Sequence, residues 1–309
     1  MRYDTRPRPF FHIFSILAKI KSFMREHMLK AFLYGTAYLP LPVLHVVGSI
    51  VGWLLFYLPN ATKNVAAENI ATCLPELSVS DRNRLLRRNL EEVGKTFAES
   101  GFIWLRPSAE VLATIREVHG ANVVQQARAE GHGVIMASPH LGCWEMAGLF
   151  CTTLGPMTSL YREPKLAELG PLICRSRERS GAKLVPTDRS GVRALLAALN
   201  CKELVGILPD QDPGRDNGVF APFFNKPANT MSLLGRLAQK TNSPWFLIYA
   251  ERLPRGRGFR IVCTPGNDLV RSDDSTLAVT AMNADVERAV RAIPTQYLWS
   301  YKRFKTPPP

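Results

Sequence analysis

Residues 133–161 read GVIMASPHLGCWEMAGLFCTTLGPMTSLY, and their pattern decides the fold class. GVIMAS (Gly133 to Ser138) and MTSLY (Met157 to Tyr161) are short apolar runs of the kind that form buried strands. The same pattern recurs downstream in AKLVP (Ala182 to Pro186) and LVGILP (Leu204 to Pro209). Helix-like stretches lie between them: LAELGPLICRSRERS, and GVRALLAALN opened by Ser190. SPWFLIYAERL and GFRIVCTP follow as two more strands joined by a Pro/Gly/Arg turn, and a last helix is expected from Ser275 to Ile293. Upstream, Ser80 and Asp81 carry an N-cap signal for an amphipathic helix over RNRLLRRNLEEVGKTFAESGFIW. Strands that alternate with helices predict an α/β fold, a central mixed sheet flanked by helices. No internal repeat interrupts it.

The N-terminal segment has a different character. From Ala31 to Thr62 there is no Lys, Arg, Asp or Glu, and the core LPLPVLHVVGSIVGWLLFYLP runs from Leu39 to Pro59. A bilayer-crossing helix needs roughly 20 apolar residues. Pro40, Pro42, His45, Gly48 and Gly52 interrupt the run, so it reads either as an N-terminal apolar membrane helix, spanning or re-entrant, or as a helix buried against the rest of the chain. Its late start and the lack of a small-residue cleavage site exclude a signal peptide. Both flanks are basic: Arg2, Arg6, Arg8, Lys19, Lys21, Arg25 and Lys30 before it, Lys63, Arg82, Arg84, Arg87 and Arg88 after it. That suits a segment entering and leaving on one side, against an anionic cytoplasmic leaflet. Phe10 to Met24 reads as an interfacial or an ordinary surface helix. The expected division is residues 1–62, basic segment and membrane anchor, and 63–309, catalytic domain.

The chain of 309 residues carries a formal net charge of +13, which favours acidic partners such as anionic lipid or an acidic carrier protein. Nucleic acid fits poorly, because the basic residues flank an apolar segment instead of interleaving with aromatics. The six cysteines form no CxxC pair and no zinc-ligand spacing, which fits a reducing compartment with no structural metal. There is also no GxSxG elbow, Walker loop or GxGxxG after a strand.

His140 directly follows the strand GVIMAS-Pro, at the end where an α/β sheet lines its site crevice. A neutral imidazole there can take the proton of a hydroxyl that attacks an acyl carbonyl. Glu145 lies five positions on, within reach of the ring if a helix begins near Leu141, and would fix its tautomer. Tyr161 and Arg162 close the second strand, with Arg175, Arg177 and Arg179 on the next helix-like stretch. Arginines near strand ends suit phosphate or a phosphopantetheine arm, whereas Arg175 and Arg179 also read as a solvated face. Asp210-Gln211-Asp212 closes the fourth strand. Its two acids could bind a metal as in Asp-x-Asp glycosyltransferases, cap a turn, or pair with the arginines.

Together these residues resemble the bacterial lipid A late (lauroyl and myristoyl) acyltransferase family, which is related to the lysophospholipid acyltransferases. The likeness runs from about Leu39 to Lys305. It covers Lys63 to Ile70, Pro75 to Ser78, the His-x4-acid pattern of His140 to Glu145, Tyr161-Arg162, Arg177, Asp210-Gln211-Asp212, Gly218 to Phe224 and Gln296 to Lys305. Two stretches depart from it: the basic extension from Met1 to Lys30, and Tyr301-Lys302 where the family often has His-Arg. The resemblance implies a glycerol-phosphate-acyltransferase-like fold at the cytoplasmic face of the inner membrane. It implies transfer of an acyl chain from acyl carrier protein to a hydroxyl of a lipid A precursor, with no cofactor and no metal. In that reading His140 and Glu145 are catalytic. Arg177, assisted by Arg162 and Tyr161, binds phosphate or the developing oxyanion, and Asp210 and Asp212 hold the arginines or position the acceptor. The alternatives are an acyltransferase acting on a lysophospholipid, glycolipid or amino-acid lipid, a metal-dependent glycosyltransferase, and a non-catalytic lipid-binding protein. The related glycerolipid enzymes carry His-x4-Asp and a Glu-Gly-Thr-Arg block; Glu145 and the lack of that block set this chain apart.

Overall fold

The computed structural model describes residues 9–163, 169–215 and 217–309, with side chains from Met24 onward within those ranges. Arg2, Arg6, Arg8 and the side chains of the expected surface stretch before Met24 therefore lie outside the described residues, as does most of the LAELG stretch. Four helices open the fold: α1 (Pro9–Tyr38), α2 (Leu41–Tyr57), α3 (Ala61–Cys73) and α4 (Val79–Leu105). Pro40 caps α2 and Leu58-Pro59 ends it, because proline cannot extend a helical hydrogen-bond ladder. Asn60 caps α3 through Lys63 N, and Ser78, two residues before the expected start, caps α4 through Asp81 N.

α2 uses its two faces differently. Leu41, Leu44, His45, Gly48 and Gly52 are buried against α4. The glycines allow backbone contact: a Cβ on Gly94 of α4 would lie 2.0 Å from the Gly48 carbonyl oxygen. Val46, Ile50, Trp53 and Tyr57 on the other face are exposed, as are Met28, Tyr34 and Tyr38 on α1. Among the described residues no single helix is long and apolar enough to cross a membrane. The pair α2 and α3 passes that test together, by length and composition, with a bend of 81° between them. The expected apolar segment, Leu39 to Pro59, is thus the helix α2, which by itself is not long and apolar enough to cross a membrane.

The chain continues through α5 (Ser108–Leu112), β1 (Ile115–His119), α6 (Ala121–Ala129), β2 (Val134–Ala137), α7 (Trp144–Leu154), β3 (Met157–Tyr161), α8 (Gly170–Glu178), β4 (Ala182–Pro186), α9 (Arg189–Asn200) and β5 (Leu204–Ile207). After these come β6 (Val219–Phe223), β7 (Lys226–Thr230), α10 (Leu233–Thr241), β8 (Trp245–Arg252), β9 (Phe259–Pro265) and α11 (Ser275–Ala292). Seven strands form one sheet in the order β1-β9-β8-β2-β5-β3-β4. β2, β5, β3, β4 and β8 run parallel, β9 is antiparallel to β8, and β1 follows β9, so the sheet is mixed. All six expected strands are present. β1 and the β6–β7 hairpin are additional; Pro222 within VFAPF masks a strand reading.

The sheet separates two cores. Along β2, Ile135 and Ala137 join Leu195, Leu237 and Trp299 on one side, while Val134 and Met136 join Phe102, Val124 and Met146 on the other. That alternation is the two-residue period of a strand covered on both faces. Buried asparagines clasp the C-terminal segment to the helices. Asn69 of α3 donates to the Trp299 and Tyr301 carbonyls at 2.6 and 2.7 Å, and Asn89 of α4 to those of Thr295 and Tyr297 at 2.9 and 2.6 Å.

A buried charge cluster ties α2, α4 and β8 together. Glu99 accepts two hydrogen bonds from Arg252 Nε, both 2.9 Å, and its carboxylate lies 2.5 Å from His45 Nε2. Burial alone would push Glu99 up, but the Arg252 charge and the hydrogen bonds from His45 and Arg252 outweigh it and hold the carboxyl at about 2.

Candidate active site

β2 and β5 are parallel neighbours with Ala137 opposite Ile207. From that pair each strand runs on through a proline, Ser138-Pro139-His140 on one and Leu208-Pro209-Asp210 on the other. Equal offsets from a shared register deliver His140 and Asp210 to the same point at the carboxyl edge of the sheet. The buried Asp210 carboxylate accepts from the His140 backbone N–H at 2.9 Å and lies 2.8 Å from Nδ1. A carboxylate only accepts, so Nδ1 carries the proton and Nε2 keeps its lone pair. The side-chain amide nitrogen of Gln211, at 3.1 Å, donates to that lone pair. Burial would raise Asp210, but the adjacent His140 ring and its hydrogen bonds bring it below the ordinary carboxylate range.

The segment after His140 does not open a helix near Leu141. Leu141 makes a β-bridge to Tyr297, and Gly142 makes one to Ala250. Gly142 has φ +62°, and a Cβ there would meet the Ala250 carbonyl oxygen at 2.1 Å. α7 therefore begins at Trp144, and Glu145 falls in its first turn. From there its carboxylate accepts from Arg177 Nε at 3.1 Å and Nη2 at 2.5 Å. The ring-orienting hydrogen bond expected of Glu145 is thus made by Asp210, and the arginine expected to face the acids of the fourth strand is held by Glu145. Arg177 and its hydrogen bonds overcome the effect of burial and keep Glu145 below its ordinary pKa.

The other expected residues are dispersed. Tyr161 donates from its hydroxyl to the Gly170 carbonyl at 3.3 Å, and the Arg177 guanidinium sits 6.0 Å from its ring centre. Arg162 is exposed and lines neither cavity described below. Asp212 is buried but turns to the C-terminal tail and the hairpin: it accepts from Gly214 N at 2.7 Å, Asn229 Nδ2 at 3.1 Å and Thr306 N at 3.1 Å. Among the described residues it forms no ion pair with an arginine. Among the described residues no group of three or more His, Cys, Asp or Glu is placed to hold a metal ion. Gln211, which stands between the two acids, carries no sequence signal for a site role, and only its 3.1 Å contact with His140 Nε2 brings it to the site.

Two cavities meet at Ile103, Trp144 and Glu145. The Trp144 ring lies 5.1 Å from that of His140. The inner cavity, about 80 Å³, runs beneath α7 and α8 between Met136, Gly148, Leu149, Met157 and Ile248, with Arg177 at its wall. The outer one, about 400 Å³, lies between α1 and α4 and is lined by Leu29, Phe32, Leu33, Phe97 and Leu298.

An imidazole oriented by a carboxylate can act as a general base, and apolar cavities beside it can take a hydrocarbon chain. Residues 13–306 match the model of the bacterial lipid A biosynthesis acyltransferases. The chain belongs to that family. It is an acyltransferase. It is 28 % identical to the lipid A biosynthesis palmitoleoyltransferase of Escherichia coli K12 over 274 residues, 87 % of each chain. With the lauroyltransferase of the same organism identity is 27 % over 271 residues, covering 87 % of this chain and 88 % of that one. A lipid A biosynthesis acyltransferase of Haemophilus influenzae is 28 % identical over 275 residues, covering 87 % and 86 %. The relatives named for palmitoleoyl and lauroyl transfer are 28 % and 27 % identical, so overall identity does not select between those two chains.

Proposed function

We propose that this enzyme transfers a fatty acyl chain from the thioester of an acyl carrier protein to a hydroxyl of a lipid A precursor, without a cofactor. The observation that carries this reading is His140, whose Nε2 lone pair is kept available by the Asp210 hydrogen bond to Nδ1. In the reaction the acceptor hydroxyl gives its proton to Nε2 as its oxygen attacks the thioester carbonyl. The resulting oxyanion collapses, the C–S bond breaks, and the thiolate leaves and is protonated by the imidazolium. Asp210 stabilises that imidazolium. Arg177, aimed by Glu145 at the junction of the cavities, supplies positive charge to an acceptor phosphate or to the oxyanion. The narrow inner cavity takes the acyl chain, and its depth sets the chain length.

The site of action proposed is the cytoplasmic face of the inner membrane. Its support is the exposed apolar face of α1 and α2 and the net charge of +13, which suits both anionic lipid and an acidic carrier. The test supplies wild type and His140→Ala with acyl carrier protein thioester and either a lipid A precursor or lysophosphatidic acid in detergent. Product on the lipid A precursor that disappears with His140→Ala is expected. Product on lysophosphatidic acid alone would overturn the acceptor, and activity of His140→Ala within tenfold of wild type would overturn the base.

A further inference from the structure

The lone pair of His140 Nε2 is where the acceptor hydroxyl must donate its proton, and that position is filled by the Gln211 side-chain amide at 3.1 Å. We propose that Gln211 is a gate on the nucleophile: it occupies the seat of the acceptor hydroxyl until the acceptor displaces it, and so keeps water off the base while a thioester is bound. The inference rests on the acyl-transfer reading above and adds to it a residue that decides between a lipid hydroxyl and water.

The surroundings fit a side chain that swings on a fixed backbone. The neighbours on either side are buried and tied down, Asp210 to His140 and Asp212 to Gly214, Asn229 and Thr306. Gln211 itself is only half-buried, so its amide can turn outward without moving either acid. The chemistry of the residue is also suited to the task. A carboxamide is a neutral donor, so it satisfies Nε2 without protonating it, and a hydroxyl can replace that single hydrogen bond one for one. A carboxylate at the same place would accept from the ring and draw the proton onto Nε2, disabling the base. With the seat vacant, water can donate to Nε2 and attack the carbonyl. A C–O bond then forms, the C–S bond breaks, and the products are free fatty acid and the carrier thiol.

The test measures fatty acid released from acyl carrier protein thioester without acceptor, and lipid product with acceptor, for wild type, Gln211→Ala, Gln211→Met and Gln211→Glu. Removing the donor should raise the ratio of hydrolysis to transfer about tenfold in Gln211→Ala, the worth of one neutral hydrogen bond. Gln211→Met, which keeps bulk without a donor, should raise it too, and adding His140→Ala should abolish the released acid. Gln211→Glu should lose both reactions. A ratio at the wild-type value in both Ala and Met variants overturns the gate. An independent reading comes from nitrogen-15 NMR of histidine-labelled protein, with the resonance assigned through His140→Ala. Gln211→Ala should shift the His140 Nε2 signal, and an unchanged signal overturns the contact on which the proposal stands. If wild type transfers acyl groups to no lipid, the functional reading fails instead, while the NMR shift still decides whether Gln211 caps the base.

Discussion

Asp210→Asn is the substitution that separates Asp210 from Glu145 as the partner of His140, the proposed base. The change keeps the shape of a buried side chain but removes the charge 2.8 Å from His140 Nδ1. In the transition state proposed above the ring becomes an imidazolium. Unit charges about 4 Å apart at an effective dielectric of about 20 attract by about 4 kcal/mol. That is about a thousandfold in rate. The amide group could instead donate to Nδ1, which would move the ring proton to Nε2 and remove the base outright, so the charge term is a lower bound. The assay is initial-rate acyl transfer from carrier-protein thioester in detergent, with kcat and KM separated and circular dichroism as a control for folding. The loss should fall on kcat. Asp210→Asn within tenfold of wild type would refute the argument. If Glu145→Gln alone loses a thousandfold, Glu145 is the orienting carboxylate and the resting geometry rearranges on binding.

Glu145→Gln, Arg177→Met and their double variant should show coupling of about 2 kcal/mol in kcat/KM, because each partner is left buried by loss of the other; additive losses would mean that the ion pair does not act as a unit. Gly148 lines the inner cavity, and a Cβ there meets nothing within 4 Å. Gly148→Leu should therefore favour shorter donors by about 0.8 kcal/mol for each methylene displaced, read from competition between acyl thioesters of different length. Gly94→Ala drives a methyl into the Gly48 carbonyl, 2.0 Å away, and should cost about 1–3 kcal/mol of stability, measured as a fall in Tm without a local loss at the base. Glu99 is held at about 2, below its unfolded value, so its contribution is present above the ordinary carboxylate range and is lost as pH falls towards 2. Glu99→Gln should destabilise the protein by about 3–5 kcal/mol near neutral pH and flatten the acid limb of the stability curve; an unchanged acid limb would assign that pH dependence to other carboxylates.

The α/β class and six of the strands were legible because each strand is a local apolar run closed by Gly or Pro. The order His140, Glu145, Tyr161, Arg177, Asp210 was legible as a resemblance, since it needs only sequence position. β1 was missed because its burial is partial and irregular, and β6 because Pro222 interrupts it. The end of α2 was written in Leu58-Pro59, where the apolar run from Leu39 also stops.

What the tertiary structure alone decided is the pairing of the charged groups. From spacing, Glu145 is the natural partner of His140, five positions away. In the fold, Gly142 and Leu141 bridge to Ala250 and Tyr297, the helix starts late, and Glu145 goes to Arg177. Asp210 reaches His140 from seventy positions away. It does so because β2 and β5 are parallel neighbours in register and each extends equally past its last paired residue. A strand's apolar run states that it is a strand, and nothing in the run states which strand lies beside it. Neighbour and register are set by how the whole sheet closes its two cores, and here they choose Asp210 as the hydrogen-bond partner of His140.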